Sequence, residues 1–220
     1  MGWVLIALFS ASLLTADVID YVTLDTGPLI SNSSGPFTLD FQFVEGNGIG
    51  DSNNTVTLSD FSFGGGSIVT PASSVSGSGV TVTSSAFGIT LVDSSFYQDV
   101  EFTLNPGAAL SFEIDATTNV DTVAPDTFTF AIFDNTFSPI PTTNPNGFDA
   151  FLEIDLPTLG SNAETIPSGT DPTQTAINII APTVEPVSTS GVPEPSSPLL
   201  LGTAALIVIL GRRFLSSATR

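Results

Sequence analysis

Apolar and polar residues alternate with a period of two in one segment of this chain after another. Phe37, Leu39, Phe41 and Phe43 interleave with Thr38, Asp40 and Gln42, the pattern of a strand with one face buried. The alternation returns in Val56 and Leu58 running into "DFSF", in Val80 and Val82, and in "AFGITLVD", "DVEFTL" and "ALSFEID". It returns again in "DTFTFAIFD", "FDAFLEIDL" and "TQTAINII". Clusters of Gly, Asn, Asp, Pro and Ser lie between them, such as "EGNGIGDSNNT", "GGGS", "SGSG" and "PTTNPNG", and mark turns. About ten short strands without an amphipathic helix predict an all-β fold, an antiparallel β-sandwich of jelly-roll kind. Most phenylalanines fall on the apolar phase of a strand and are expected to fill the space between two sheets.

Three segments break the pattern. The apolar run at 3–14 is too short to span a bilayer comfortably and predicts a signal peptide over 1–16, cleaved after Ala16. A second apolar run at 199–210, extended to 198–215, suits a single tilted C-terminal transmembrane helix. Residues 181–197, "APTVEPVSTSGVPEPSS", hold proline, serine and threonine without an aromatic, which predicts a linker. The expected order is signal 1–16, sandwich 17–180, linker 181–197 and a C-terminal signal over 192–215.

Charge sharpens this picture. The chain has 22 acidic and 3 basic residues, and no histidine or cysteine. The bases are Arg212, Arg213 and Arg220, so residues 1–198 carry every acid and no basic side chain. Such a body repels nucleic acid and anionic headgroups, both of which need a cationic surface; its charged partners are cations. Without histidine, lysine or cysteine, the usual general base, Schiff-base amine and thiolate are missing. An enzyme is therefore not expected, although hydrolysis by a carboxylate pair survives the composition.

Val192, Pro193, Glu194 and Pro195, followed by the apolar run and then Arg212 and Arg213, resemble the PEP-CTERM sorting signal of Gram-negative bacteria. The resemblance implies recognition by the membrane enzyme exosortase, cutting near the motif, and a setting of exopolysaccharide production. In this reading Arg212 and Arg213 are a stop-transfer signal, since basic residues stay on the cytoplasmic face. The motifs "LDFQF", "FSFGGG", "LSFEID", "DTFTFAIFD" and "FDAFLEIDL", with "YVTLDTGPL" before them, also resemble a subset of PEP-CTERM proteins. That shared body has no assigned activity. The implied protein is exported, held in the inner membrane before sorting, and then placed at the cell surface or outside the cell. Its implied role is a structural or adhesive component of biofilm and exopolysaccharide; the alternative is a glycan- or calcium-binding surface module.

No cofactor is demanded by the sequence, and Ca²⁺ is the one it could accommodate. In "GNGIGDSNN", Asp51, Asn53 and Asn54 offer hard oxygens among glycines that permit tight turns, the donor type that calcium takes. The spacing lacks the Asp-x-Asp-x-Asp-Gly pattern and its distal glutamate, and a polar hairpin turn is the other reading. Asp115, Asp121 and Asp126, and likewise Asp149, Glu153 and Asp155, form further acidic groupings of the kind that line the solvated face of a strand.

Overall fold

The predicted alternation is realised as two antiparallel sheets that share one apolar core. The computed structural model describes residues 17–187 apart from 49, 85 and 86. The predicted signal peptide, the sorting motif Val192 to Pro195, the run at 198–215 and Arg212 and Arg213 lie outside the described residues. Among the described residues no helix is long and apolar enough to cross a membrane.

Thirteen strands follow one another: β1 (Val18–Asp25), β2 (Phe37–Val44), β3 (Thr55–Ser62), β4 (Ser67–Ile68), β5 (Ser74–Ser76), β6 (Val80–Thr83) and β7 (Gly88–Val92), then β8 (Tyr97–Asn105), β9 (Ala109–Ala116), β10 (Thr127–Phe133), β11 (Leu152–Asp155), β12 (Glu164–Pro167) and β13 (Thr183–Pro186). One sheet runs β13-β1-β9-β3-β7-β6 and the other β12-β11-β10-β2-β8-β4, with β5 also paired to β8. The only helical turn among the described residues is 3-10, at Gly27–Leu29.

The phenylalanines join the sheets. Phe41 of β2 stacks on Phe130 of β10 at 5.1 Å and meets Phe112 of β9, in the opposite sheet, edge-on at 5.8 Å. Phe112 and Phe130 close the triangle at 5.5 Å. All three rings are fully buried, and each such burial contributes roughly 1.5–3 kcal/mol. In β3 the register shifts between Ser59 and Ser62, where Asp60 takes φ 51°. The extra residue of this bulge moves the apolar phase from Val56 and Leu58 to Phe61, which stacks on Phe112 at 5.3 Å.

Two segments differ from the sequence reading. "TQTAINII" makes no strand; Asp171 opens it with a turn, accepting from Thr173 and Gln174, while Ile177 and Ile179 still enter the core. The stretch from Ala181, expected to open the linker, instead forms β13, which pairs antiparallel with β1. Prolines beside and within that strand did not prevent this, because β13 is an edge and needs a ladder on one side only.

Candidate metal site

Strand direction brings four acids to one end of the two sheets. Glu45 follows β2, Asp93 follows β7, and Asp121 and Asp126 lie in the β9–β10 connection. Asp51, Asn53 and Asn54 belong to the β2–β3 loop that meets them. The loops come close because two glycines permit it: a Cβ on Gly46 would stand 2.4 Å from the Pro125 carbonyl oxygen, and one on Gly50 2.2 Å from the Ser94 carbonyl carbon.

Glu45, Asp121 and Asp126 are buried, and one carboxylate oxygen of each lies within 4.8 Å of the others. Asn54, fully buried, organises the surroundings. Its backbone N–H donates to Asp93 Oδ2 at 3.1 Å, and its Nδ2 donates to Asp126 Oδ2 at 2.9 Å and Asp121 Oδ2 at 3.3 Å. Its Oδ1 is used up accepting from Thr117 Oγ1 and the Asn119 N–H. Asn53 Nδ2 donates to Asp121 Oδ1 at 3.1 Å, and the Gly46 N–H donates to Asp126 Oδ1 at 2.9 Å.

Two oxygens here are buried without a hydrogen-bond partner, Asn53 Oδ1 and Asp93 Oδ1. Asp93 has no exposed surface. Burial pushes its carboxyl up to about 7, against the pull of the Asn54 N–H, with the facing Asp126 carboxyl and the charge of Asp51 adding to the rise. Burial also raises Asp121, opposed by Asn53 and reinforced by Asp126, Asp51 and Glu45. Carboxylates crowded out of water in this way are ordinarily paired or bound to metal, and residues 1–198 contain no basic side chain to pair them. Their donor set is the hard-oxygen kind that suits calcium. No protein-family model, curated protein or solved structure matches the chain.

The three residues singled out from the loop sequence thus have different places. Asn53 keeps a buried Oδ1 without a hydrogen-bond partner, Asp51 is exposed and accepts the Asn53 N–H, and Asn54 holds the carboxylates and offers no lone oxygen. Glu45, Asp93, Asp121 and Asp126 carry the charge. The grouping Asp115, Asp121 and Asp126 separates, Asp115 standing on β9 with Asp17 as its charged neighbour. In the other grouping, Glu153 is held by Asn144 Nδ2 at 2.7 Å and Asn146 Nδ2 at 2.8 Å, Asp155 takes the Thr127 hydroxyl, and Asp149 takes the Thr142 N–H.

Asp93→Asn tests this electrostatic account. The amide oxygen can still accept from Asn54, and the new NH₂ replaces a partnerless oxygen beside Asp126. In EDTA the variant is expected to melt higher than the parent, by the order of 1–3 kcal/mol that a satisfied buried group contributes. Added Ca²⁺ is expected to raise its Tm less than it raises the parent's. Paired melting curves check both signs.

Proposed function

We propose that this chain is an exported, calcium-binding surface module with the β-sandwich of a jelly roll, sorted through its C-terminal signal into the cell-surface or extracellular matrix. The observation that carries the calcium half is the buried trio Glu45, Asp121 and Asp126, faced by Asp93 and left without any cationic side chain. An ion there ties the β2–β3 and β9–β10 loops together, so folding and ion binding reinforce each other. Calcium is abundant outside cells, and extracellular modules bind it with Kd of about 10⁻⁴–10⁻³ M, so the module would be loaded where it is delivered.

The sorting half rests on the resemblance of Val192, Pro193, Glu194 and Pro195, the apolar run and Arg212 and Arg213 to the PEP-CTERM signal. In this reading 198–215 is a transmembrane helix, exosortase is the processing partner, and exopolysaccharide is the material the module joins. The role is structural or adhesive and not enzymatic.

Equilibrium dialysis of the EDTA-stripped protein against millimolar ⁴⁵Ca²⁺ tests the first half: bound calcium is expected, with weaker uptake in Asp121→Asn/Asp126→Asn. Equal uptake by the parent and that variant would place the ion elsewhere. Mass spectrometry of the native termini tests the second half. A mature start at Asp17 and an end near Pro193 to Pro195 are expected, and an intact 220-residue chain would refute the sorting reading.

A further inference from the structure

The outer face of the β10-β2-β8 sheet holds a second group of acids, distinct from the loop-end cluster. Because Leu39, Phe41 and Phe43 of β2 point into the core, Asp40 and Gln42 point out; on β8, Val100 and Phe102 point in, so Asp99 and Glu101 point out. The register sets Asp40 opposite Glu101 and Gln42 opposite Asp99, which makes Asp99 the diagonal neighbour of Asp40. The polar face of an antiparallel sheet is usually solvated. This one is not: Asp40 is 1% and Asp99 5% exposed.

One carboxylate oxygen of each of Asp40, Asp99 and Glu101 lies within 4.8 Å of the others. Gln42 Nε2 donates to Asp40 Oδ2 at 2.5 Å, but Asp40 Oδ1 and Asp99 Oδ1 are buried with no hydrogen-bond partner. A pocket of about 240 Å³ opens beside Asp40, on the β10 side, lined by Asp40, Gln42, Thr129 and Asp149 among others. It reaches from the surface to the buried Asp40, whose Oδ1 has no partner.

We propose that Asp40, Asp99 and Glu101 form a second divalent-cation site, entered through the pocket that Asp40 lines. Two carboxylates buried on adjacent strands are stabilised by a positive charge between them, and the described residues offer none from a side chain. Three carboxylates with open space beside Asp40 suit a hard ion that keeps part of its water. The competing occupant is a proton shared by Asp40 and Asp99. Burial and the neighbouring acid push Asp40 upward, the direction that favours this proton in the ion-free protein.

Tyr97 makes the site observable; because it also stands opposite Val44, next to Glu45, the variants decide which cluster holds the ion. Tyr97 shares the outward face of β8 with Asp99 and Glu101, every second residue of the strand; burial, then the charges of Asp99, Asp40 and Glu101, raise its phenol above the ordinary range. Terbium is a luminescent stand-in for calcium, and it emits under ultraviolet light when bound beside a tyrosine. The full chain, stripped with EDTA, is titrated with Tb³⁺ in four forms: parent, Tyr97→Phe, Asp40→Asn/Glu101→Gln, and Asp121→Asn/Asp126→Asn.

The expected result is saturable emission that competing Ca²⁺ removes. Emission should fall to the free-ion background in Tyr97→Phe and in Asp40→Asn/Glu101→Gln, and persist in Asp121→Asn/Asp126→Asn. Emission lost only in Asp121→Asn/Asp126→Asn would assign the ion to the loop end and overturn the proposal. So would a parent that stays dark while dialysis finds calcium bound. Should Asp40→Asn/Glu101→Gln fail to fold, the parent and Tyr97→Phe decide the matter, since the latter keeps all three acids. For those two forms the deciding count is calcium bound by dialysis, and a single ion in the parent contradicts a second site.

Discussion

Ca²⁺ at about 10–100 mM, a hundredfold excess over the Kd of about 10⁻⁴–10⁻³ M of extracellular modules, should raise the melting temperature of this protein well above its value in EDTA. An ion that binds only the folded chain stabilises it by about 2.7 kcal/mol at a hundredfold excess over Kd. For a domain of this size, each kcal/mol moves Tm by about 2–4 °C, so a rise of about 5–11 °C is expected. The loop-end site alone would supply a gain of this size. In EDTA the carboxylates of Glu45, Asp121 and Asp126 crowd one another with no compensating charge, and calcium replaces that repulsion with coordination. Mg²⁺ should do less, because it demands octahedral geometry and releases its waters reluctantly. Scanning calorimetry in EDTA, Mg²⁺ and Ca²⁺ checks the order. Identical melting in all three would remove calcium from the account.

The second large effect lies in the core. Phe112→Ala removes the one ring that touches Phe41, Phe61 and Phe130 together, and so touches both sheets. Truncating a buried phenylalanine costs about 3–5 kcal/mol, because the cavity collapses only in part. The expected fall in Tm is about 6–20 °C, measured in Ca²⁺ to keep the ion's contribution constant. Phe137→Ala, whose ring is 71% exposed, should change Tm little. If the two variants melt alike, the phenylalanine triangle is not what joins the sheets.

The strands were legible in the chain because this fold buries one face of each strand at a time. Phe37 to Phe43 announced β2 and its register-determining face. Even the β3 bulge leaves a trace, since Val56 and Leu58 are out of phase with Phe61 and Phe63. β13 was not legible: Pro182 and Pro186 read as linker, and only the open side of β1 makes a strand of Thr183–Pro186. The outward face of β2 also misled. Asp40 alternates as a solvated residue would, yet the segment carrying Pro139, Phe148 and Asp149 packs over it.

The loop-end cluster was half visible for a related reason. Asp51, Asn53 and Asn54 share a few residues of sequence, so their oxygens could be seen together. Glu45, Asp93 and the pair Asp121 and Asp126 are separated by long stretches, and only the antiparallel pairing of β2, β3, β7, β9 and β10 gathers them. A signal was present nonetheless. Glu45, Asp93 and Asp126 each stand beside the end of an alternating run, in "QFVEG", "TLVDS" and "APDTF". In a chain without basic residues to pair them, acids at strand ends are where cations are expected.

Glu45, Asp121 and Asp126 are the proposed ligands. A crystal structure of the protein grown with calcium, with anomalous difference maps, decides the assignment most directly. A peak is expected among these carboxylates, with ligand oxygens at about 2.3–2.6 Å. Millimolar calcium in the crystal, intact side chains and no peak there would contradict it.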